Sequence, residues 1–141
     1  MAVVLPNRVG LVPKLGCVEV CAYSKHWPCV FPQHGPGPKL KRAIVLEPWQ
    51  RQVALADYPH LLLRGLIHSD GLRGTNVAVT PQGRYFYPRY QFSNRSDDIR
   101  NIFAEACANV GVGWRRMNRW NLSVARKADV ARLDQWIGPK L

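Results

Sequence analysis

The sequence predicts an α+β domain whose elements run α-β-β-α-β-β-α, preceded by an irregular arm. Three observations predict it. Two pairs of strand-like runs are each joined by a turn signal. Each pair is followed by a run with helical apolar spacing. Composition also changes near residue 43, where proline gives way to regular patterning. At 141 residues and 47% hydrophobic content, the chain is the size of one domain with one core.

Residues 1–43 hold Pro6, Pro13, Pro28, Pro32, Pro36 and Pro38, three of the four cysteines and two of the four histidines. Proline at this density excludes a long helix or a central strand, so the segment reads as an irregular arm. Leu11 to Tyr23 faintly resembles the second half of a helix-turn-helix, interrupted by Pro13. Cys17, Cys21, His26, Cys29 and His34 are of the ligand types that suit tetrahedral zinc, and a metal would staple a core-poor arm. The spacing is not that of paired Cys-x-x-Cys modules, and Cys17 and Cys21 equally suit the core of a short helix. The Pro/Gly-rich run that follows Trp27 suits an extended arm across a partner subunit or along DNA.

From residue 44 the elements follow in order. Pro48 opens a short helical run through Trp49, Val53 and Leu55, which Pro59 ends. His60 to Asp70 forms the next helix, with Leu61, Leu62, Leu66 and Ile67 as its apolar face toward the sheet. Leu72 to Thr80 and Arg84 to Ser93 make a hairpin about Pro81-Gln82-Gly83, and Pro88 marks an edge or bulge. Ser96, with Asp97 and Asp98, caps a helix carrying Ile99, Ile102, Phe103, Ala106, Cys107 and Val110, stopped by Gly111. Val112 to Arg116 and Arg119 to Arg126 form a second hairpin around Met117-Asn118. The last helix carries Val130, Leu133 and Ile137 on one face and halts at Gly138-Pro139.

Net charge is +11, from 20 Lys+Arg against 9 Asp+Glu, and aromatic residues are interleaved with the cations. This is the signature of a surface that binds a polyanion, nucleic acid before membrane. No segment has the apolar length of a transmembrane span, and Met1 to Leu5 has no charged flank of a secretory signal. With four cysteines in 141 residues there is no disulfide scaffold, so cytoplasmic residence is the expectation.

The chemistry concentrates at Leu63-Arg64-Gly65-Leu66-Ile67-His68-Ser69-Asp70-Gly71, an apolar helix ending in a carboxylate. An acid at a helix C-terminus opposes the macrodipole, which argues for a role beyond ending the helix before Gly71. The stretch resembles the motif of the LAGLIDADG homing endonucleases, with Leu63, Gly65, Leu66, Ile67, Asp70 and Gly71 matching. Arg64 stands where that family has alanine, His68 where it has its first aspartate, and Ser69 where it has a small residue. The resemblance covers residues 44–141 and implies the same αββαββα topology, with a four-stranded antiparallel saddle-shaped sheet. It also implies a homodimer, because the chain carries one copy of the motif.

In such a dimer the motif helices pack about a two-fold axis. Gly65 and Ser69 share one face and allow close approach, with Leu62 and Leu66 beside them. The alternative is that Gly65 lets the helix approach its own sheet. Pairing the helix ends brings two Asp70 carboxylates together, which requires a cation between them; Mg²⁺ suits oxygen ligands and phosphate. The implied activity is metal-assisted hydrolysis of a pseudo-palindromic duplex, cut within the minor groove. By resemblance, Asn94 is the amide that orders water around the metal and Lys140 the basic residue after the last helix. Asn94 equally suits a turn or capping position.

Strand alternation selects the residues for DNA contact. Arg119, Asn121 and Ser123 alternate with Trp120, Leu122 and Val124, and Arg89, Gln91 and Ser93 with Tyr90 and Phe92. Arg, Asn and Gln make bidentate contacts with base edges in the major groove. Arg115, Arg116 and Arg126 add charge for phosphate. On the first strand, either Asn76 or Arg73 with Thr75 faces DNA. Two other functions remain compatible with the same fold: a DNA-binding regulator without catalysis, and an RNA-binding splicing helper.

Overall fold

In the computed structural model, residues 9–38 and 42–138 are described, and the chain divides into two compact units, 1–37 and 38–141. The first unit holds a hairpin and one turn of helix. β1 (Gly10–Lys14) pairs antiparallel with β2 (Cys17–Cys21), placing Pro13 opposite Val18. Leu15-Gly16 is the turn, and Gly16 supplies a φ of +78°, which a side chain would resist. The helix-turn-helix echo at Leu11 to Tyr23 is therefore a hairpin. In a two-stranded ribbon every strand is an edge, so Pro13 costs no interior ladder bond. α1 (Trp27–Val30) follows, with the Trp27 indole donating to the Ala22 carbonyl at 3.0 Å.

The second unit begins its helices at α2 (Pro48–Arg51). The Glu47 and Gln50 side chains cap each other's backbone, with Gln50 Oε1 3.0 Å from the Glu47 nitrogen. The run continues as a π-helical segment, Gln52–Asp57, which buries Leu55 and is held by Asn109 Nδ2 on the Leu55 carbonyl at 2.9 Å. α3 (Pro59–Asp70) passes into β3 (Gly71–Thr80) with no loop between them. A Cβ at Gly71 would lie 2.8 Å from the Ile67 Cα, so this junction accepts only glycine.

β4 (Gly83–Ser93) completes the first hairpin in unbroken register, from Gly71 opposite Phe92 to Thr80 opposite Gly83. α4 (Asp97–Asn109) starts at Ser96, whose Oγ accepts from the Ile99 nitrogen at 3.4 Å. β5 (Arg115–Arg116) and β6 (Asn121–Val124) form a second, shorter hairpin, and α5 (Lys127–Ile137) ends at Gly138 with φ +66°. The sequence reading extended this hairpin too far. Asn118 Oδ1 takes the Trp120 and Asn121 N–H groups at 2.9 and 3.0 Å, closing a turn that consumes Arg119 and Trp120.

The four strands form one antiparallel sheet in the order β3-β4-β6-β5. β6 pairs only with Tyr90–Ser93, so at Pro88 β4 has a partner on the β3 side alone, as proline requires. One face of the sheet carries Tyr90, Phe92, Leu122 and Val124 into the core, against α3, α4 and α5. Phe92 stacks on Phe103 at 4.4 Å between ring centroids and 7° between planes. Val130, Leu133 and Ile137 are buried on α5 as their spacing predicts.

On α3 the buried residues are Pro59, Leu63 and Ile67, whereas Leu61 is exposed and Leu62 and Leu66 are half-buried. Of the apolar face read from sequence, Ile67 is buried and Leu62 and Leu66 pack against the core, Leu61 faces solvent, and Leu63 takes the central place. The i, i+4, i+8 series through Pro59, Leu63 and Ile67 is buried in the core, and Leu62 and Leu66 pack half-buried against its edge.

Candidate nucleic-acid interface and acidic site

Register alone assigns the faces of the sheet. Arg73 lies opposite Tyr90 and shares its helix-side face. There Arg73 grips Asp134 of α5 through Nε at 2.7 Å and Nη2 at 2.9 Å, and Tyr90 donates its hydroxyl to the same carboxylate at 2.6 Å. The Arg73 hydrogen bond holds the Asp134 carboxyl below its ordinary range, while burial and Asp134 push the Tyr90 phenol up. Of the two sequence-based options for β3, Arg73 with Thr75 is therefore excluded and Asn76 takes the open face, opposite Tyr87.

The same open face carries Arg89, Gln91, Asn121 and Ser123, with Arg115 opposite Ser123. Tyr85 and Tyr87 lie there too, ring centroids 6.4 Å apart and planes 22° apart, both substantially exposed. Sequence reasoning passed over this pair because tyrosine alternation alone does not tell a core face from a free one. Arg116 lies opposite Leu122, on the helix side at the sheet edge. Arg119 sits in the turn with its guanidinium 5.8 Å from the Trp120 ring. Arg126 is the N-cap of α5, its side chain exposed and 4.0 Å from Asp129.

Arg89, Arg115, Arg116, Ser123 and Arg126, with Trp114 and Met117, line a groove of about 630 Å³. Four arginines line it (Arg89, Arg115, Arg116 and Arg126) against one acid, Asp129, which is already engaged by the Gly113 N–H at 3.2 Å. Three polar atoms on the open face are buried without a partner among the described residues: Arg89 Nε, Asn121 Oδ1 and Ser123 Oγ. Ser123 is only 5% exposed, so its orphaned hydroxyl is not a surface rotor reaching bulk water. Each buried, unsatisfied polar group costs about 1–3 kcal/mol, and a ligand with matching groups recovers that cost.

The acidic site lies where α3 meets β3. Asp70 is exposed, and its Oδ2 accepts from Asn94 Nδ2 at 3.0 Å. Asn94 is fixed on all its other polar atoms. Its N–H donates to the Trp120 carbonyl at 3.1 Å and its Oδ1 accepts from the Ser96 N–H at 2.8 Å. Its carbonyl accepts from Arg100 Nη1. Because Oδ1 is held by Ser96, the amide can only present its NH₂ toward Asp70. Asn94 is thus both the turn residue that its position suggested and a partner of the acid. Arg100, buried to 3% exposure and also bonded to Asp97, is a member of this site that the sequence reading did not single out.

Elsewhere on α3, an ideal Cβ at Gly65 meets nothing within 4 Å, so Gly65 serves no close approach within its own chain. Ser69 is exposed and donates to the Leu66 carbonyl at 3.0 Å. The His68 ring nitrogen Nε2 lies 2.9 Å from the Ile137 carbonyl and satisfies one of the last acceptors of α5. Lys140 lies outside the described residues.

Of the two readings of the N-terminal cysteines and histidines, the zinc cluster does not form among the described residues. Cys17, Cys21, His26, Cys29 and His34 are spread over β2, α1 and the following turns, and no group of three or more His, Cys, Asp or Glu among the described residues could hold a metal. Cys21 instead donates to Glu19 Oε1 at 3.2 Å, which raises its thiol above the ordinary range. Strand alternation puts Cys17, Glu19 and Cys21 on one side of an exposed hairpin, away from the histidines in sequence. No helix among the described residues is long and apolar enough to cross a membrane.

No family model and no curated protein matches the chain. The structure is similar to solved LAGLIDADG homing endonucleases. It aligns with the homing endonuclease I-TnaI over 59% of this chain and 60% of that one, at 18% identity and a TM-score of 0.44. It aligns with I-SmaMI bound to cleaved DNA over 83% of this chain and 39% of that one, at 16% identity and a TM-score of 0.47. For I-SmaMI bound to an uncleaved target with calcium ions the coverage is 83% and 40%, at 14% identity and a TM-score of 0.47. The chain spans less than two thirds of the length of either protein. The fold described above rests on its own strand order and register.

Proposed function

We propose that this chain is a homodimeric, site-specific DNA-binding protein that hydrolyses phosphodiesters with a divalent cation. The observation that carries the reading is the groove lined by Arg89, Arg115, Arg116 and Arg126 beside the open sheet face, where Arg89 Nε, Asn121 Oδ1 and Ser123 Oγ are buried with no partner among the described residues. Arginine and asparagine there have the donors and acceptors that base edges present in the major groove, and the surrounding arginines match phosphate. Asn76, Gln91 and Arg115 extend the same surface.

Asp70 supports the chemical step. One chain offers a single carboxylate there, with Oδ2 engaged by Asn94. An exposed oxygen ligand of this kind fits a hard cation such as Mg²⁺ only when a second Asp70 completes the site. The open surface of α3 around Gly65 and Ser69, flanked by Leu62 and Leu66, is where the second copy would pack. When bound, the cation would polarise the scissile phosphate and stabilise the leaving oxygen. The residues of this chain do the rest: Asn94 fixes the Asp70 carboxylate, and the arginines hold the strands against the sheet.

Supercoiled plasmid incubated with Mg²⁺ tests the reading. Wild type should nick or linearise it, and Asp70→Asn should bind without cutting. Tight duplex binding with no cleavage by wild type would leave a DNA-binding regulator. A second reading, recognition of RNA or single strands, draws on Tyr85 and Tyr87, since exposed rings on a basic sheet stack with unpaired bases.

A further inference from the structure

A second cavity, of about 290 Å³, lies on the opposite side of the sheet edge from the open face. It is lined by Arg100, Asn101 and Ala104 of α4 together with Trp114, Arg116 and Leu122. Two of these six residues are cations and none is an acid. Arg116 makes no ion pair with any described carboxylate. Arg100 is a buried guanidinium bonded to the Asn94 carbonyl and to Asp97, whose side chain is 78% exposed to water, and its Nε has no acceptor among the described residues. The lining therefore carries net positive charge, with Arg116 as its exposed cation. Arg100 Nε is itself shut off from solvent, so its charge acts on an occupant as a field, while Arg116 and Asn101 are the exposed donors.

We infer that this cavity binds a phosphate group, with Arg116 and Asn101 donating to its oxygens and Trp114 forming a flat wall. A guanidinium fork matches phosphate geometry, and an indole face accepts a sugar or base beside it. Trp114 and Arg116 also line the open-face groove, so a nucleic-acid strand running off the β5 edge passes directly to the cavity. The phosphate comes either from that strand or from a free phosphorylated molecule. Only the first source rests on the function proposed above.

Calorimetric titration of the full chain with inorganic pyrophosphate, alongside the Trp114 indole N–H resonance, tests the site. Wild type should bind pyrophosphate, with the Trp114 signal moving. Arg116→Ala and Asn101→Ala, both at exposed positions, should weaken binding at least tenfold with unchanged melting temperature. Pyrophosphate binding no better than chloride, or Arg116→Ala binding as tightly as wild type, would overturn the inference. A duplex titration distinguishes the sources. If Arg116→Ala lowers the salt-dependence slope by about one and Asn101→Ala, which lines this cavity and not the groove, also weakens duplex binding, a strand phosphate sits there; duplex binding unchanged in Asn101→Ala, with pyrophosphate binding intact in wild type, assigns a free ligand. Pyrophosphate binding by a protein that fails to bind duplex would keep the cavity and remove the nuclease reading.

Discussion

Asn94 donates to Asp70 across 3.0 Å, and its other side-chain atom, Oδ1, is occupied by the Ser96 backbone. The acid at the end of α3 is therefore oriented by the turn that leaves β4. Asn94→Ala removes the donor, and we expect a cleavage rate down by about 10–100-fold with duplex affinity kept, since it orients a ligand without touching the strand. Single-turnover cleavage and fluorescence anisotropy on the same duplex separate the two effects.

Gly65 meets nothing within 4 Å of its missing side chain, so a large residue there has room in the isolated chain. Gly65→Leu should leave the melting temperature of the subunit unchanged or raise it, because glycine inside a helix costs about 0.5–1 kcal/mol against a residue with a side chain. The same substitution should convert dimer to monomer in sedimentation velocity. A Gly65→Leu protein that unfolds would show instead that α3 packs on its own sheet at this point.

Gly71 is the opposite case. Its Cβ would sit 2.8 Å from both the Ile67 Cα and the Ile67 Cδ1, and the backbone cannot yield as a side chain would. Gly71→Ala should destabilise the fold by about 1–3 kcal/mol in urea titration. Two glycines six residues apart thus give contrary results, one from inside the subunit and one from outside it.

The Asp134 carboxyl is held below its ordinary range by Arg73, so its proton leaves more readily in the folded chain than in the unfolded one. Its contribution to stability is then complete above the unfolded value of about 3.9 and is lost as pH falls through the lower folded value. Melting temperature should drop below about pH 4, and Asp134→Asn should flatten that drop. The pair is half-exposed, so the loss at neutral pH should be about 1 kcal/mol.

On the open face, Arg89→Ala and Asn121→Ala remove groups whose partners are missing from the free protein. Each should cost about 1–3 kcal/mol of preference for the cognate base pair, read by competition among single-substitution duplexes. Arg126→Ala should weaken all duplexes about equally.

Much of the fold was legible in the residues. The caps at Ser96, the series Val130, Leu133 and Ile137, and the turn at Pro81-Gln82-Gly83 each carry a local signal that the structure follows. The face of α3 was not legible, because Leu61, Leu62, Leu63, Leu66 and Ile67 are apolar nearly all round and periodicity cannot choose among them. The side of β3 follows from its register with β4, Arg73 opposite Tyr90, and from the Arg73–Asp134 pair sixty-one residues apart, neither of which local sequence places. Arg100 was out of reach for the same reason, since its role depends on a carbonyl in a turn that sequence spacing does not place. The N-terminal hairpin was hidden by Pro13, since proline is excluded from interior strands but tolerated in a two-stranded ribbon.

Two Asp70 carboxylates can share a cation only if two chains meet along α3, and solution mass tests this most directly. Light scattering on the full chain with an equimolar duplex should give two 16.0 kDa chains per duplex, in wild type and Asp70→Asn alike. A single chain per duplex, with no two-chain species in the free protein, would contradict the paired site and the hydrolysis built on it.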